Sequence, residues 1–215
     1  MRTIITIIVA IMAITLHSNA QISLGLKGGG NLSSVHFKDT SENRIAKSIV
    51  SFFTGGVMNI PVSKQLSIQP ELLFTQKGLS IPDAWIDSRL NMNYLEVPVL
   101  LKRTFKTKTV KICVNGGPYA AYLAGANAVA TLDGQKERVK MEAEDINSTF
   151  QRFDYGIVGG TGFLLKTGPG DITFDARYEF GLGNIEKSDP EMEVKDAAHN
   201  RVFSLSAGYL IPIGK

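Results

Sequence analysis

The sequence predicts an all-β protein: an eight-stranded antiparallel up-and-down transmembrane β-barrel with short periplasmic turns and long extracellular loops. Eight stretches alternate apolar and polar side chains, and the connections between them alternate long and short. After the N-terminal segment, no stretch is continuously apolar for the roughly 18 residues that mark a transmembrane helix. Because lipid offers no water to unpaired backbone groups, a sheet that spans a bilayer must close on itself.

The period-two alternation places the strands, and the connections then sort into two kinds. The predicted strands are residues 21–35, 48–61, 65–78, 90–104, 109–124, 150–166, 171–185 and 200–213. The long connections are residues 36–47, 79–89, 125–149 and 186–199, and the short ones are 62–64, 105–108 and 167–170. With both chain ends on one side, the short turns face the periplasm. We expect the longest loop, 125–149, to be polar and mobile rather than a folded binding site.

The N-terminal segment, residues 1–20, predicts a signal peptide. Arg2 supplies the positive start, Ile4 to Leu16 form an apolar run, and Ser18-Asn19-Ala20 offers small residues for cleavage before Gln21. The run is too short to cross a bilayer as a helix, which needs about 20 residues. We therefore expect a barrel domain at residues 21–215 that is located in the outer membrane.

Charge and cysteine content restrict the function classes. Without Arg2, the predicted mature chain keeps 22 basic residues against 20 acidic ones, a net charge of +2. A nucleic-acid partner would need a concentrated basic face, so none is expected. The single cysteine, Cys113, is interpreted as a small buried apolar residue rather than a reactive thiol. No cofactor is expected, and we expect a monomer.

Strands three to five each set an apolar face against a polar one. The apolar positions of these strands are Leu66, Ile68, Leu72, Phe74, Leu95, Val97, Val99, Leu101, Val110, Ile112 and Val114. The opposing positions are Gln69, Glu71, Thr75, Lys77, Glu96, Lys102, Lys111, Cys113 and Asn115. The second strand, in which Phe52 and Phe53 are adjacent, leaves its register open.

Glycines in the later strands decide which face looks outward. In strand seven, Phe174, Tyr178 and Phe180 oppose a face that holds Asp175, Arg177 and Glu179, and in strand six Gly156, Gly160 and Gly162 share the polar face with Asp154. A strand glycine makes room for a charged neighbour in a narrow lumen, whereas on a solvent face it only weakens the strand. This pattern favours charges inside and apolar residues toward lipid. A soluble periplasmic lipocalin-like carrier, the alternative, would be reversed.

Inward charges at matching depth predict a cluster that fills the lumen. Glu71, Glu96 and Arg177 lie at similar distances from the periplasmic turns, and strands three and seven face each other across an eight-stranded barrel. We expect Arg177 to lie between the two glutamates, because two adjacent carboxylates would otherwise repel. Lys102 and Lys111 are expected to offer Asp175 a second pairing nearer the periplasm.

Two further features of the sequence lead to expectations, one on strand geometry and one on a rim site. Pro70, Pro98 and Pro118 lie inside three successive strands, where proline removes a ladder hydrogen bond, and we expect β-bulges there. His36 and His199 fall at the outer ends of the first and last strands, with Asp39 and Asp196 nearby. Barrel closure would make the histidines neighbours, so a rim metal site is conceivable, although loop-end histidines are usually solvated.

Seven segments resemble the PorT-like family, the outer-membrane protein beta-barrel domain family common in Bacteroidota. They are GLKGGGNLS (25–33), QPELLFTQKG (69–78), NYLEVPVLLK (93–102), NGGPYAAYL (115–123), FDYGIVGGTGFLL (153–165), DARYEFGLGNI (175–185) and NRVFSLSAGYLIP (200–212). The resemblance implies an eight-stranded transmembrane barrel and strand prolines of this kind. The founding member is tied to protein secretion through the type IX system.

Three functions remain open from the sequence. The first is a non-enzymatic structural or accessory barrel, possible partners being outer-membrane lipid and a periplasmic or secretion-system protein. The basic run Lys102, Arg103, Lys106, Lys108 and Lys111 would face an acidic periplasmic partner or anionic headgroups. The second is a small passive pore, which a crowded eight-stranded lumen disfavours. The third is a membrane-embedded hydrolase, for which no catalytic constellation stands out.

Overall fold

The computed structural model describes residues 21–37, 46–81, 87–106, 110–132, 135–187 and 197–213. This part of the chain contains nine strands and one short helix: β1 Ile22–Phe37, β2 Lys47–Pro61, β3 Leu66–Ile81, β4 Asp87–Lys106, β5 Lys111–Leu132, β6 Gln135–Lys140, α1 Ala143–Thr149, β7 Phe153–Thr167, β8 Gly170–Gly181 and β9 Ala198–Ile213. The predicted signal peptide lies outside the described residues. Among those residues, no helix is long and apolar enough to cross a membrane.

Eight of these strands form a closed barrel. The sheet order is β4-β3-β2-β1-β9-β8-β7-β5-β6, and a further β4–β5 pairing closes the ring. Each pairing is antiparallel. β6 stands outside the ring and pairs with the far end of β5, Asn127–Leu132. The predicted eight-stranded antiparallel barrel is therefore confirmed, with one additional hairpin.

The connections alternate in length, as predicted. Val62–Gln65 joins β2 to β3, and Gly168-Pro169 joins β7 to β8, with Gly168 at a φ of 62° that favours glycine. The start of β1 and the end of β9 also lie at this end of the barrel, because Ile22 pairs with Ile213. We call it the short-turn end and the opposite rim the long-loop end.

The described part of the longest predicted loop, residues 125–132 and 135–149, consists largely of strand and helix, where we expected no folded unit. β5 continues past the barrel wall and pairs with β6. α1 follows β6, and its Ile146 is buried. The Arg152 guanidinium holds this segment by donating to Asn147 Oδ1 at 2.6 Å and to the backbone oxygens of Leu123 and Ala143 at 3.0 and 3.2 Å. Two features that alternation does not register, a buried helix residue and an arginine clamp, organise the loop.

The burial pattern confirms that charges face inward and apolar residues face outward. Exposed apolar side chains form a belt that includes Leu72, Phe74, Leu95, Val97, Val99, Leu101, Ile112, Val114, Ile157, Phe174, Tyr178, Leu205 and Ile211. In β2 the register is now defined, because Phe53 is 6% exposed and Phe52 is 53% exposed. This arrangement is the reverse of what a soluble lipocalin-like carrier needs.

The strand prolines do not produce the predicted bulges. Pro70 pairs with Val99, and Pro98 pairs with Tyr119, in a register that continues unbroken on both sides. The register shifts of these sheets lie elsewhere, between Ser48 and Phe53 in β2 and between Asn93 and Tyr94 in β4. Long paired segments flank each proline, and they hold the alignment although ladder bonds are lost locally.

Glycines of β7 allow β8 to carry charged side chains into the lumen. Gly160 pairs with Arg177 and Gly162 pairs with Asp175. A Cβ atom on Gly160 would lie 2.3 Å from the Ala176 backbone oxygen and 2.7 Å from Arg177 Cγ. The outward Gly159 has no such contact, since its nearest neighbour would be the Asn115 oxygen at 3.9 Å.

The glycine packing can be tested with a matched pair of substitutions. We expect Gly160→Ala to lower the free energy of unfolding by about 1–3 kcal/mol, because it overpacks the wall against the Arg177 side chain. Gly159→Ala, one residue away on the outer face, should change it by less than about 0.5 kcal/mol. Urea unfolding of the barrel in lipid vesicles measures both, and equal losses would contradict this account of the lumen.

Candidate functional site

The lumen holds a first ion-pair cluster in the half nearer the short-turn end. Arg177 Nη1 donates to Glu71 Oε1 at 3.0 Å and to Oε2 at 2.9 Å, and Arg177 Nη2 lies 3.6 Å from Asp175 Oδ2. Lys27 Nζ lies 3.5 Å from Glu71 and 3.7 Å from Asp175. Gln69 Nε2 donates to Glu71 Oε1 at 2.6 Å. Two cations and two carboxylates are thus paired, which is what charges removed from water require.

Barrel geometry brings these residues together from distant parts of the chain. Glu71 is on β3, Lys27 on β1 and Arg177 on β8, each at a position whose sequence neighbours face outward. Glu71 and Arg177 are separated by 106 residues, and their contact crosses the lumen. These three residues and Asp175 are each between 3% and 6% exposed. The cluster therefore ties opposite walls of the barrel to each other.

A second cluster lies further toward the long-loop end and is built around Lys77. Its Nζ lies 2.6 Å from Glu96 Oε2, 2.9 Å from Glu179 Oε2 and 3.8 Å from Asp154 Oδ2. The ammonium also lies 4.5 Å from the centre of the Tyr119 ring, a cation–π distance. These contacts join β3, β4, β5, β7 and β8 at one level.

The second cluster carries more negative than positive groups. One ammonium faces three carboxylates, and Lys77, Glu96 and Asp154 are at most 1% exposed. Asp154 Oδ2 accepts hydrogen bonds from Asn200 Nδ2 at 2.8 Å and Tyr119 Oη at 3.3 Å. Such neutral donors offset part of the desolvation of a buried carboxylate. The two clusters together make the middle of the barrel polar, with its charged groups joined by ion pairs and hydrogen bonds.

The predicted three-residue cluster was wrong at Glu96. Arg177 contacts Glu71, whereas Glu96 contacts Lys77. The β3–β4 register pairs Glu96 with Leu73, so Glu96 is displaced by one inward position from Glu71 along the barrel axis. That displacement brings it to Lys77, on the inward face of β3. Counting residues from the turns gave the correct relative depth for Glu71 and Arg177. It misplaced Glu96 because the count did not include the stagger between neighbouring strands.

The expected second pairing of Asp175 was also wrong. Lys102 Nζ donates to Gln69 Oε1 at 3.0 Å, and Lys111 Nζ lies 3.5 Å from Asp171 at the rim. Asp175 instead contacts Lys27 and Arg177, and it accepts a hydrogen bond from Asn115 Nδ2 at 3.2 Å. Lys27 was missed because its neighbours in GLKGGGNLS are mostly glycine, which hides the alternation of the first strand.

The two predicted rim histidines are cross-strand partners. His36 of β1 is directly opposite His199 of β9. His199 Nδ1 lies 2.9 Å from the Gly183 backbone oxygen, so that contact occupies one ring nitrogen. Asp39 and Asp196 lie outside the described residues. Within the described ranges, no group of three or more His, Cys, Asp or Glu side chains is arranged to hold a metal ion.

The lumen between the two clusters, and just above the second one, is packed. Between the two clusters, a cavity of about 10 Å³ is lined by Phe53, Pro98, Val158 and Arg177 among others, which is room for about one water molecule. Above the second cluster, Tyr94, Met92 and Leu123 are fully buried and form an apolar layer. The interior is thus filled from the first cluster to this apolar layer.

A closed barrel with an apolar outer belt and paired charges inside defines a membrane-spanning β-barrel protein. The chain belongs to the outer membrane protein beta-barrel domain family, whose model matches residues 17–187.

Several solved structures are similar to this chain. Ail, the attachment invasion locus protein of Yersinia pestis, is 15% identical with a TM-score of 0.41, over 89% of this chain and 100% of that one. Neisserial surface protein A is 14% identical with a TM-score of 0.45, over 88% and 97%. OprG from Pseudomonas aeruginosa is 10% identical with a TM-score of 0.45, over 90% and 97%. No curated protein matches.

The first ion-pair cluster predicts a non-additive response to mutation. Arg177→Met alone leaves Lys27 facing two buried carboxylates, and we expect it to lower the free energy of unfolding by about 3–5 kcal/mol. Adding Glu71→Gln restores the balance between Lys27 and Asp175, so the double variant should be more stable than the single one. A double-mutant cycle by urea unfolding in lipid vesicles measures the difference. Additive losses would show that the pair is not coupled.

Proposed function

We propose that the protein is a non-enzymatic outer-membrane barrel that acts as a structural or accessory component of protein secretion or surface assembly, and that it is neither a pore nor a hydrolase. The observation that carries this proposal is the filled lumen. Two ion-pair clusters and an apolar layer occupy the interior in succession. An eight-stranded barrel has an interior that side chains can fill, so little space is left for solute passage.

The proposal includes the route to the membrane. Residues 1–20 act as a signal peptide, cleavage before Gln21 releases the barrel domain, and the short-turn end faces the periplasm. The alternating connections and the apolar belt support this orientation. The barrel closes within a single chain, which is consistent with a monomer surrounded by outer-membrane lipid.

The short-turn end offers a basic surface to a periplasmic partner. Arg103 and Lys64 are exposed there. A cavity of about 190 Å³ at this end is lined by Lys64, Lys102, Lys111 and Asp171 among others. Positive side chains around a concave surface favour an acidic partner. We propose an acidic segment of a periplasmic or secretion-system protein, a role compatible with the PorT-like resemblance.

Single-channel recording tests the closed lumen. We expect the full-length mature protein, reconstituted in planar bilayers, to show no steady ohmic conductance, because about one water molecule fits between the two clusters. A large porin inserted under the same conditions is the positive control. A stable open channel in the native barrel would overturn the accessory-protein proposal in favour of a pore.

Charge reversal tests the partner surface. We expect Lys64→Glu with Arg103→Glu to reduce crosslinking of a periplasmic protein to the barrel in intact outer membranes by at least tenfold. The matched control reverses two exposed basic residues at the opposite rim, Lys47→Glu with Lys140→Glu, and should leave crosslinking unchanged. Both variants must fractionate with the outer membrane. Equal recovery from all three proteins would exclude the short-turn end as the docking surface.

A further inference from the structure

A cavity of about 350 Å³ lies inside the mouth of the barrel at the long-loop end. Its wall is mainly apolar and comes from β1, β3, β4, β5, β9 and the segments next to α1 and β8. The apolar side chains that matter most here are Val35, Leu79, Met92, Phe150, Ile185 and Ala198. The cavity is separate from the two ion-pair clusters and has no part in the proposed accessory role.

The cavity is blind on its lumen side. Met92, in its wall, is fully buried, and Tyr94 and Leu123 continue the same apolar layer toward the Lys77 cluster. A molecule that enters from the long-loop end therefore meets a packed floor. The geometry supports binding and does not support passage.

The chemistry of the wall favours a hydrocarbon occupant. The polar residues of the lining are Ser88, Arg89, Thr149 and Glu186, whereas the inner wall is apolar. Arg89 is already engaged, since Nε donates to Asn91 Oδ1 at 2.9 Å and Nη2 to the Val50 backbone oxygen at 2.6 Å. An apolar wall cannot hold water by hydrogen bonds, and an unfilled cavity forfeits packing contacts.

Volume limits the size of the occupant. An apolar cavity of about 150 Å³ can hold benzene, and ligand sites start at about 300 Å³. We infer that the long-loop cavity binds an uncharged apolar molecule, with room for about two aromatic rings or a medium-length acyl chain. The hydrocarbon can come from a free small molecule or from the tail of an outer-leaflet lipid.

Methionine methyl groups report directly on this site. Met92 lies in the cavity wall, while Met58 lies near the short-turn end of β2, on the side opposite the inward Val57. We would label the methionine methyls of the full-length mature protein in lipid nanodiscs and titrate with 1-naphthol. The expected result is a saturable shift of the Met92 signal, with at most a small linear drift at Met58. A linear change of both signals would mean partition into lipid and would overturn the inference, as would no change at Met92.

Filling the cavity supplies the matched variants. Ala198→Phe adds a ring at the inner wall of the cavity, and Ala128→Phe adds one at its more exposed mouth. If the first variant fails to fold, the second still tests the site. Each should weaken the apparent 1-naphthol affinity at least tenfold. Ala207→Phe makes the same change on the outer face of β9 and should have no effect. Unchanged affinity in a folded cavity variant would contradict the site.

A second arm separates the two sources of hydrocarbon. Nanodiscs with a spin label near the end of the phospholipid tail should leave the Met92 signal sharp if the occupant is a free molecule. If a lipid tail occupies the cavity, the label broadens Met92 and 1-naphthol reverses the broadening, which supports the same hydrocarbon site with a lipid source. Broadening that 1-naphthol does not reverse would overturn the inference. The conductance experiment is independent, so failure of either proposal is distinguishable.

Discussion

Backbone hydrogen bonding in a medium without water is the constraint on which this structure depends. Each of the eight barrel strands must find a partner on both sides, and the β4–β5 pairing supplies the last one. Closure then has a second consequence, because it creates an interior that eight strands leave narrow. The interior must then be filled while the outer face stays apolar. The two ion-pair clusters fill much of it.

Filling with charges requires space as well as partners. Gly160 and Gly162 of β7 have no Cβ atoms, so β7 can pair closely with β8. The side chains of Arg177 and Asp175 occupy the volume that these two Cβ atoms would have filled. The Lys77 cluster solves the same problem with three carboxylates, two tyrosine rings and neutral donors. Above it the interior changes to the buried side chains of Tyr94, Met92 and Leu123, and beyond this layer the apolar cavity opens toward the long-loop end.

The sequence predicted what depends on period and composition. Alternation identified the eight barrel strands, and glycines beside charges identified the inner face at Gly160 and Gly162. The sequence pattern could not predict the position of Glu96 along the barrel axis, because the stagger between strands is a property of the closed ring and not of any one strand. The fold of residues 125–149 was missed for a different reason: it depends on single contacts of Ile146 and Arg152, which have no period to detect.

The contact between Glu71 and Arg177 spans 106 positions of the chain, and this separation restricts how the barrel enters a membrane. A half-formed sheet containing β1 to β4 would bring Lys27, Glu71, Lys77 and Glu96 into hydrocarbon. Lys27 could pair only with Glu71 and Lys77 only with Glu96, because the further contacts from Arg177 and Glu179 arrive with β8. Exposing such groups to lipid costs several kcal/mol each. Strand-by-strand insertion is therefore uphill for this sequence, and the inner face must stay hydrated, or shielded by assembly factors, until β9 meets β1. The residues that close the mature lumen thereby also make its assembly a concerted event.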